Sequence, residues 1–181
     1  ALDADYWKPV QSGLTEGRDC DTISELTGLE ESRIHPSTYE LQAPLSPHEA
    51  ARLEGLRLDM NQFKLPTTDN NLVVEGAGGV LVPINEGALM IDLIDQLDLP
   101  VVVVARSGLG TINHTLLTLE ALRARNLELL GVIVSGPANS ANIEAIRTYG
   151  KIKILLELEP ISPLDSAGID IAAKNLESEF S

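Results

Sequence analysis

Short, β-branched apolar stretches alternate along the chain with segments whose apolar residues recur at helical spacing. Stretches of the first kind occupy residues 71–75, 100–105, 129–134 and, less clearly, 152–156. Strands that are apolar on both faces are typical of a parallel sheet covered by helices. The pattern therefore predicts an α/β fold with a doubly wound, mainly parallel sheet and helices on both faces.

The segments that follow these strands predict helices. Apolar residues keep a helical period over residues 89–97 and 111–126. A third helix is predicted over residues 140–149, with Gly150 as its C-terminal cap. This alternation of strands and helices indicates right-handed βαβ units.

Outside this alternation, short motifs predict single elements. Ser46-Pro47-His48-Glu49 combines a capping box with proline at the first helical position, and Gly55 would end that helix. Residues 21–26 predict a short helix closed by Gly28, and residues 165–181 a terminal helix. No element is predicted for the mixed, polar segment from Leu56 to Asn70, and a short extended segment is predicted around Trp7 and Lys8.

Charge limits the partners of the chain. The 181 residues include 27 acidic and 13 basic side chains, which gives a net charge of −14. Such a surface repels nucleic-acid backbones and anionic lipids, so neither is an expected partner. A small anion remains acceptable, because a local cluster of N–H groups with one lysine binds phosphate against the overall field. The length predicts a single domain over residues 1–181.

The single cysteine, Cys20, rules out a disulfide within the chain and indicates a reducing compartment. The longest apolar runs are far shorter than the roughly 18 residues that span a bilayer. The first residues have neither a basic region nor an apolar signal core. We therefore expect a cytoplasmic protein without membrane partners.

Candidate chemistry follows the strands, because ligands of open parallel sheets bind at the carboxyl ends of the strands. Glu75-Gly76-Ala77-Gly78-Gly79 follows one strand, and its carboxylate suits Mg²⁺, which prefers oxygen ligands. The alternative is a tight turn with a solvated glutamate. The loop matches neither a dinucleotide fingerprint nor a Walker A loop.

A second glycine-rich loop, residues 106–110, leads into the helix predicted from Thr111. Free N–H groups and the positive end of the helix dipole at this point would favour a carboxylate or a phosphate. The alternative is an ordinary turn with Thr111 as the N-cap. His114 lies in the first helical turn, where a lone histidine is more often a packing residue than a base.

Lys8 is a third candidate, with Ser12 soon after it. One lysine at a strand end in an acidic chain suits a phosphate or a carbamate, and the alternative is a surface lysine before a turn. Asp19 and Asp21 follow, and either would complete a metal site with Glu75.

Four blocks together resemble dethiobiotin synthetase sequences, in the order and with the spacing of that family. The resemblance extends from residue 6 to about residue 165. The blocks are residues 6–13, residues 46–48, residues 74–79 with Pro83, and residues 109–114 with 116–118.

The resemblance implies a P-loop-type fold and a definite reaction. Family members are homodimers that form dethiobiotin from 7,8-diaminononanoate, CO₂ and ATP with Mg²⁺, through a carbamate and a carbamic-phosphate intermediate. Lys8 matches the family's catalytic lysine, and Asp21 and Glu75 match its Mg²⁺ and nucleotide carboxylates.

The resemblance also assigns binding residues. Substrate contacts fall on Ser12, on the loop of Gly78, Gly79 and Val80, and, across the dimer interface, on Gly110, Thr111, Ile112 and Asn113. Nucleotide contacts fall on Ser135, Glu159 and Pro160, although many members have asparagine where this chain has Ser135.

One family element, a first strand with a Walker A loop and a helix, is missing from this sequence. Three explanations stay open: the segment belongs to the protein but not to this sequence, the chain is an expressed fragment, or it is a paralogue that has lost ATP hydrolysis. The third predicts decay of Lys8, Asp21 and Glu75, and all three are present.

Two other functions compete with a ligase. A related P-loop amidoligase needs a glutamine-hydrolysing domain or a larger acid substrate, for which 181 residues leave no room. A non-catalytic dimeric module that binds an acidic metabolite predicts no affinity for ATP, even with a complete N-terminus.

Overall fold

The computed structural model describes residues 3–177, with side chains as far as Lys174. The chain divides into two compact units, one ending at Leu97 and the other beginning at Asp98. Each unit contains a three-stranded parallel sheet together with helices, which confirms the predicted α/β class with mainly parallel strands. The single domain over residues 1–181 stays a prediction.

The sheet of the first unit has β1 (Ala4–Trp7) between β3 (Ile34–His35) and β5 (Asn71–Val74). Tyr6 is opposite Val73 in the register of β1 and β5. Two small sheets complete the strands of this unit: a parallel pair, β2 (Val10–Gln11) with β4 (Tyr39–Glu40), and an antiparallel pair, β6 (Pro83–Asn85) with β7 (Ala88–Leu89).

The helices of the first unit are α1 (Asp19–Thr27), α2 (Pro47–Leu53) and α3 (Met90–Leu97). As predicted, Gly28 ends α1 in the left-handed conformation, and its N–H donates to Ser24 O. The helix begins two residues earlier than predicted, however, and its first residue is Asp19, which contacts Lys8. Residues 56–70 contain one 3₁₀ turn, Met60–Gln62.

One apolar core fixes these elements. It includes the fully buried side chains of Leu41, Leu58 and Ile84, and Phe63 meets Tyr39 edge to face with ring centroids 5.4 Å apart. Trp7, on the central strand, is also buried, and its indole N–H donates to Pro36 O. The end of β1, from which the site is built, therefore rests on a rigid support.

The second unit has β9 (Leu129–Ser135) between β8 (Val101–Arg106) and β10 (Ile154–Leu158). Its helices are α4 (Thr111–Ala124), α5 (Ser140–Gly150) and α6 (Ser166–Glu177). Residues 178–181 of the predicted terminal helix lie outside the described residues. No helix within residues 3–177 is both long and apolar enough to cross a membrane.

The end of α5 differs from the prediction. Gly150 is the last helical residue, and Lys151 takes the left-handed capping conformation at φ 46°. A Cβ on Gly150 would lie 3.0 Å from Leu119 Cδ1, so the glycine permits the close packing of α5 on α4. The turn after Lys151 delays β10, which begins two residues later than predicted.

Candidate active site

The ammonium group of Lys8 lies between two carboxylates. Its Nζ atom is 2.9 Å from Glu75 Oε1 and pairs on its other side with Asp19. The Lys8 side chain is only 12% exposed, whereas the Glu75 side chain is 44% exposed. Burial opposes the positive charge, but the hydrogen bonds that Lys8 donates to Asp19 and Glu75 outweigh it and raise the pKa of Lys8 above its ordinary value. Lys8 is therefore a fixed cation rather than a base.

Neighbouring strands bring these groups together. Tyr6 and Lys8 are two residues apart on an extended segment, so their side chains lie on the same face. The Glu75 N–H donates to Trp7 O at 2.9 Å, which extends the pairing of β1 with β5. The Tyr6 hydroxyl donates to Glu75 Oε2 at 2.6 Å.

Tyr6 is a hydrogen-bond donor at any working pH. Its side chain is buried, and burial together with the hydrogen bond to Glu75 raises its pKa well above the ordinary value. Sequence reasoning missed this residue, although the alternation of residues along β1 was the signal that places it beside Lys8.

Lys8 borders a cavity of about 620 Å³ in the first unit. Ser12 and Gly78, both predicted to contact substrate, line the same cavity. Further lining residues come from the start of α1 and the start of α2, among them Arg18, Asp19, Ser46 and Pro47. A cavity of this size accommodates a small organic molecule, and Lys8 supplies a cation at its wall.

The loop after Glu75 has a shape that needs glycine at one position. Gly78 has φ 81°, and a Cβ there would lie 3.1 Å from Val82 Cγ2. Gly79 and Val80 continue the loop but do not line the cavity. The carbonyl of Gly79 accepts from Val82 N at 3.0 Å, and that of Val80 accepts from Ile91 N at 2.8 Å. The substrate roles of Gly79 and Val80 stay predictions.

Asp19 reaches Lys8 because Gln11 holds the start of α1. Gln11 is buried, and its Oε1 atom accepts from Asp19 N at 3.2 Å while its Nε2 atom donates to Ser12 O at 2.8 Å. Sequence reasoning did not assign Gln11. Its side chain links β2, Ser12 and the carboxylate that pairs with Lys8.

Asp21 has a different environment from Asp19. Residues two apart on a helix differ in direction by about 200°, and Asp21 is exposed on α1. Its Oδ1 atom is 3.7 Å from Cys20 Sγ. The structure thus brings Asp19, rather than Asp21, into the cluster with Lys8 and Glu75, and the metal role of Asp21 stays a prediction.

The donor set fits Mg²⁺ only in part. Within the described residues no group of three or more His, Cys, Asp or Glu side chains could hold a metal. Two carboxylates, of Asp19 and Glu75, do lie around Lys8. Proteins often bind Mg²⁺ through one or two carboxylates plus the phosphates of a substrate. The residues therefore fit a metal that arrives with a nucleotide.

The predicted anion site in the second unit lies at the start of α4. Gly110 precedes the helix with φ 89°, and Thr111 is buried with its hydroxyl 3.4 Å from that of Thr115. Ile112 is half-buried and Asn113 is exposed. The Thr111 N–H already donates to Gly108 O at 3.2 Å, so a carboxylate at this helix start would meet the amides of Ile112 and Asn113.

The predicted nucleotide residues lie at the ends of two paired strands. Ser135 ends β9 opposite Leu158 of β10, and its carbonyl accepts from Ser107 N at 3.0 Å. Glu159 lines a cavity of about 600 Å³ beside α6, and Pro160 is exposed next to it. Their nucleotide roles stay predictions.

Comparison with known proteins identifies relatives over nearly all of the chain. An AAA domain family model matches residues 1–167. The ATP-dependent dethiobiotin synthetase BioD of Paramagnetospirillum magneticum is 57% identical over 166 residues, which are 92% of this chain and 80% of the relative.

Two further relatives agree with this result. The ATP-dependent dethiobiotin synthetase BioD of Afipia carboxidovorans is 46% identical over 91% of this chain and 79% of its own length. The biotin biosynthesis bifunctional protein BioCD of Bordetella avium is 52% identical over 97% of this chain, which spans 38% of that longer protein. With this identity to dethiobiotin synthetases over more than nine-tenths of its length, the chain belongs to the family of ATP-dependent dethiobiotin synthetases.

Proposed function

We propose that this protein is an ATP-dependent dethiobiotin synthetase, a ligase that forms dethiobiotin from 7,8-diaminononanoate, CO₂ and ATP. Membership of the family supports the reaction. The observation that carries the proposal for the site is the ammonium of Lys8, on a side chain only 12% exposed, held between Asp19 and Glu75 at the wall of a cavity.

The proposed reaction has three steps. One amine of the substrate attacks CO₂ and, with loss of a proton, gives a carbamate. A carbamate oxygen then attacks the γ-phosphorus of ATP, and ADP leaves. The second amine attacks the carbonyl carbon and loses a proton, the ureido ring closes, and phosphate leaves. Negative charge develops on oxygen in each step, so positioning and charge neutralisation supply most of the acceleration.

Lys8 is suited to that neutralisation. An ammonium group has three N–H donors, and the contacts with Asp19 and Glu75 use two of them. The third is available to a carbamate or phosphoryl oxygen. Fixed donors of this kind contribute on the order of a hundredfold to a thousandfold in rate.

Asp19 and Glu75 also explain a need for magnesium. The cluster combines one positive and two negative groups, so an anionic substrate gains little from it alone. Mg²⁺, when bound, supplies charge neutralisation for the phosphate oxygens. Glu75 and Asp19 would hold it, with Asp21 as the carboxylate that the family resemblance favours.

The other predicted residues would bind the diamine substrate and the nucleotide. The diaminononanoate would contact Ser12 and the loop of Gly78, Gly79 and Val80, while its carboxylate would meet the α4 start, Gly110 to Asn113, of the second subunit of a homodimer. Ser135, Glu159 and Pro160 would contact the nucleotide. We place the enzyme in the cytoplasm, in keeping with its single cysteine.

The test is product formation by the full-length protein. Incubation with 7,8-diaminononanoate, bicarbonate and MgATP should yield dethiobiotin by mass spectrometry, and omission of ATP should abolish it. Calorimetry with ATP runs in parallel. Binding of ATP without product would defeat the substrate assignment, and absence of ATP binding would favour the non-catalytic module.

A further inference from the structure

Both oxygens of the Glu75 carboxylate are engaged by residues that belong to or directly follow β1. Oε2 accepts from the Tyr6 hydroxyl at 2.6 Å, and Oε1 accepts from Lys8 Nζ at 2.9 Å. The Glu75 backbone is fixed by the same segment, through its N–H bond to Trp7 O. Backbone and side chain of Glu75 are thus oriented together.

The Glu75 side chain is held by both of its oxygens although it is partly exposed to solvent. It is 44% exposed, and an exposed glutamate ordinarily samples several rotamers. Tyr6 is only 5% exposed, and its side chain has only two torsions, so the surrounding core holds the ring in place. The buried ring therefore acts as a rigid support for a carboxylate that reaches toward solvent.

The same contact affects Lys8. With Oε2 held by Tyr6, Oε1 faces the Lys8 ammonium, whose second partner is Asp19. If the Glu75 carboxylate turned away, Lys8 would keep its contact with Asp19. Its ammonium would then be drawn toward the start of α1, where Asp19 lies. The Tyr6 hydroxyl and the Lys8 ammonium thus contact the two oxygens of one carboxylate without touching each other.

We propose that Tyr6 is a positioning residue for the ligase reaction: its hydroxyl fixes the Glu75 carboxylate and, through it, the ammonium of Lys8. The catalytic significance rests on the proposed function, whereas the positioning itself does not. The alternative is that Tyr6 only satisfies its own buried hydroxyl and contributes to stability.

Tyr6→Phe removes the hydroxyl and keeps the ring. We expect kcat to fall about ten- to hundredfold, as for other groups that orient catalytic ligands, with KM for the diamine nearly unchanged. The matched control is Tyr39→Phe, which removes a hydroxyl that accepts from Asp59 N at 3.0 Å in the same unit. The control should leave kcat and KM unchanged.

A second readout does not depend on turnover. In protein labelled with ¹⁵N-lysine, an ammonium held by two carboxylates exchanges slowly with water and should give a resolved Nζ–H signal, assigned by its loss in Lys8→Arg. Tyr6→Phe should shift or broaden this signal, and Tyr39→Phe should not. An unchanged Lys8 signal together with an unchanged kcat would overturn the proposal, even if Tyr6→Phe lowered the melting temperature.

The proposed ligase function and the positioning role of Tyr6 can be refuted independently of each other. If wild-type protein forms no dethiobiotin, the proposed function fails, but the Lys8 signal still tests the positioning. If Tyr6→Phe does not fold, the wild-type protein still tests the hydrogen bond from Tyr6 to Glu75 on which the proposal depends. The Tyr6 hydroxyl proton should exchange much more slowly than that of Tyr149, whose side chain is 74% exposed. Equal exchange rates would overturn the proposal.

Discussion

The Nζ atom of Lys8 lies 2.9 Å from Oε1 of Glu75, although 67 positions separate the two residues in the sequence. Parallel pairing of β1 with β5 accounts for this closeness, because it brings the carboxyl ends of both strands to one edge of the sheet. The ion pair between Lys8 and Glu75 therefore follows from the fold.

The loop after Glu75 should tolerate alanine at one glycine and not at its neighbour. Gly78→Ala places a Cβ in the left-handed region and 3.1 Å from Val82 Cγ2, so we expect a loss of about 1–2 kcal/mol in the free energy of unfolding. Gly79→Ala meets no atom within 4 Å and should be nearly neutral. Urea denaturation measures both, and equal losses would contradict this description of the loop.

The centre of the second unit should be equally sensitive. A Cβ on Gly131 of β9 would lie 2.6 Å from Leu155 Cγ and 2.8 Å from Lys153 O. Gly131→Ala should therefore lower the free energy of unfolding by about 2–3 kcal/mol, as overpacking does. Gly108→Ala, which meets nothing within 4 Å, is the control. Denaturation of Gly131→Ala at the wild-type urea midpoint would refute the packing of β9 against β10.

Asp5 should make stability depend on pH in the acid range. Hydrogen bonds from Thr68, Arg33, Asn70 and His35 outweigh burial and hold the pKa of this carboxyl below its ordinary value of 3.8. A lowered folded pKa contributes stability that is complete above the unfolded pKa and is lost as pH falls toward the folded one.

Asp5→Asn isolates that contribution. At pH 7 we expect the variant to melt several degrees below wild type. The gap should narrow as pH falls below about 4, where the Asp5 carboxyl of the unfolded chain begins to protonate while that of the folded protein is still ionised. Thermal melts between pH 3 and pH 7 measure the gap, and a gap independent of pH would show that the charge of Asp5 contributes nothing.

Removal of metal should affect turnover and leave the fold intact. The described residues contain no cluster that could hold a metal without a substrate, so EDTA should abolish dethiobiotin formation without shifting the melting temperature of nucleotide-free protein. Excess Mg²⁺ should restore the rate. A melting temperature that falls on chelation would instead reveal a resident metal.

The sequence was sufficient for the long strands and for the residues at their ends. Lys8, Ser12 and Gly78 border one cavity, as their places after strands suggested. The strands of two or three residues were not predicted, because so short a segment has no measurable period. The sequence did not show whether Asp19 or Asp21 faces Lys8, because the direction of each side chain depends on the residue at which the helix begins. Gln11, eight residues before Asp19, holds that first residue by accepting from Asp19 N.

The central claim is that the Lys8 ammonium neutralises the carbamate during ATP-dependent ring closure. The most direct measurement follows ¹³C-bicarbonate into the ureido carbonyl of dethiobiotin, with ADP counted in the same sample, for wild type, Lys8→Ala and Lys64→Ala. Lys64 is an exposed lysine of the same unit and controls for the loss of charge. We expect one ADP per labelled product in wild type and Lys64→Ala, and a rate at least about a hundredfold lower in Lys8→Ala. Labelled product formed by Lys8→Ala at the wild-type rate would contradict the claim.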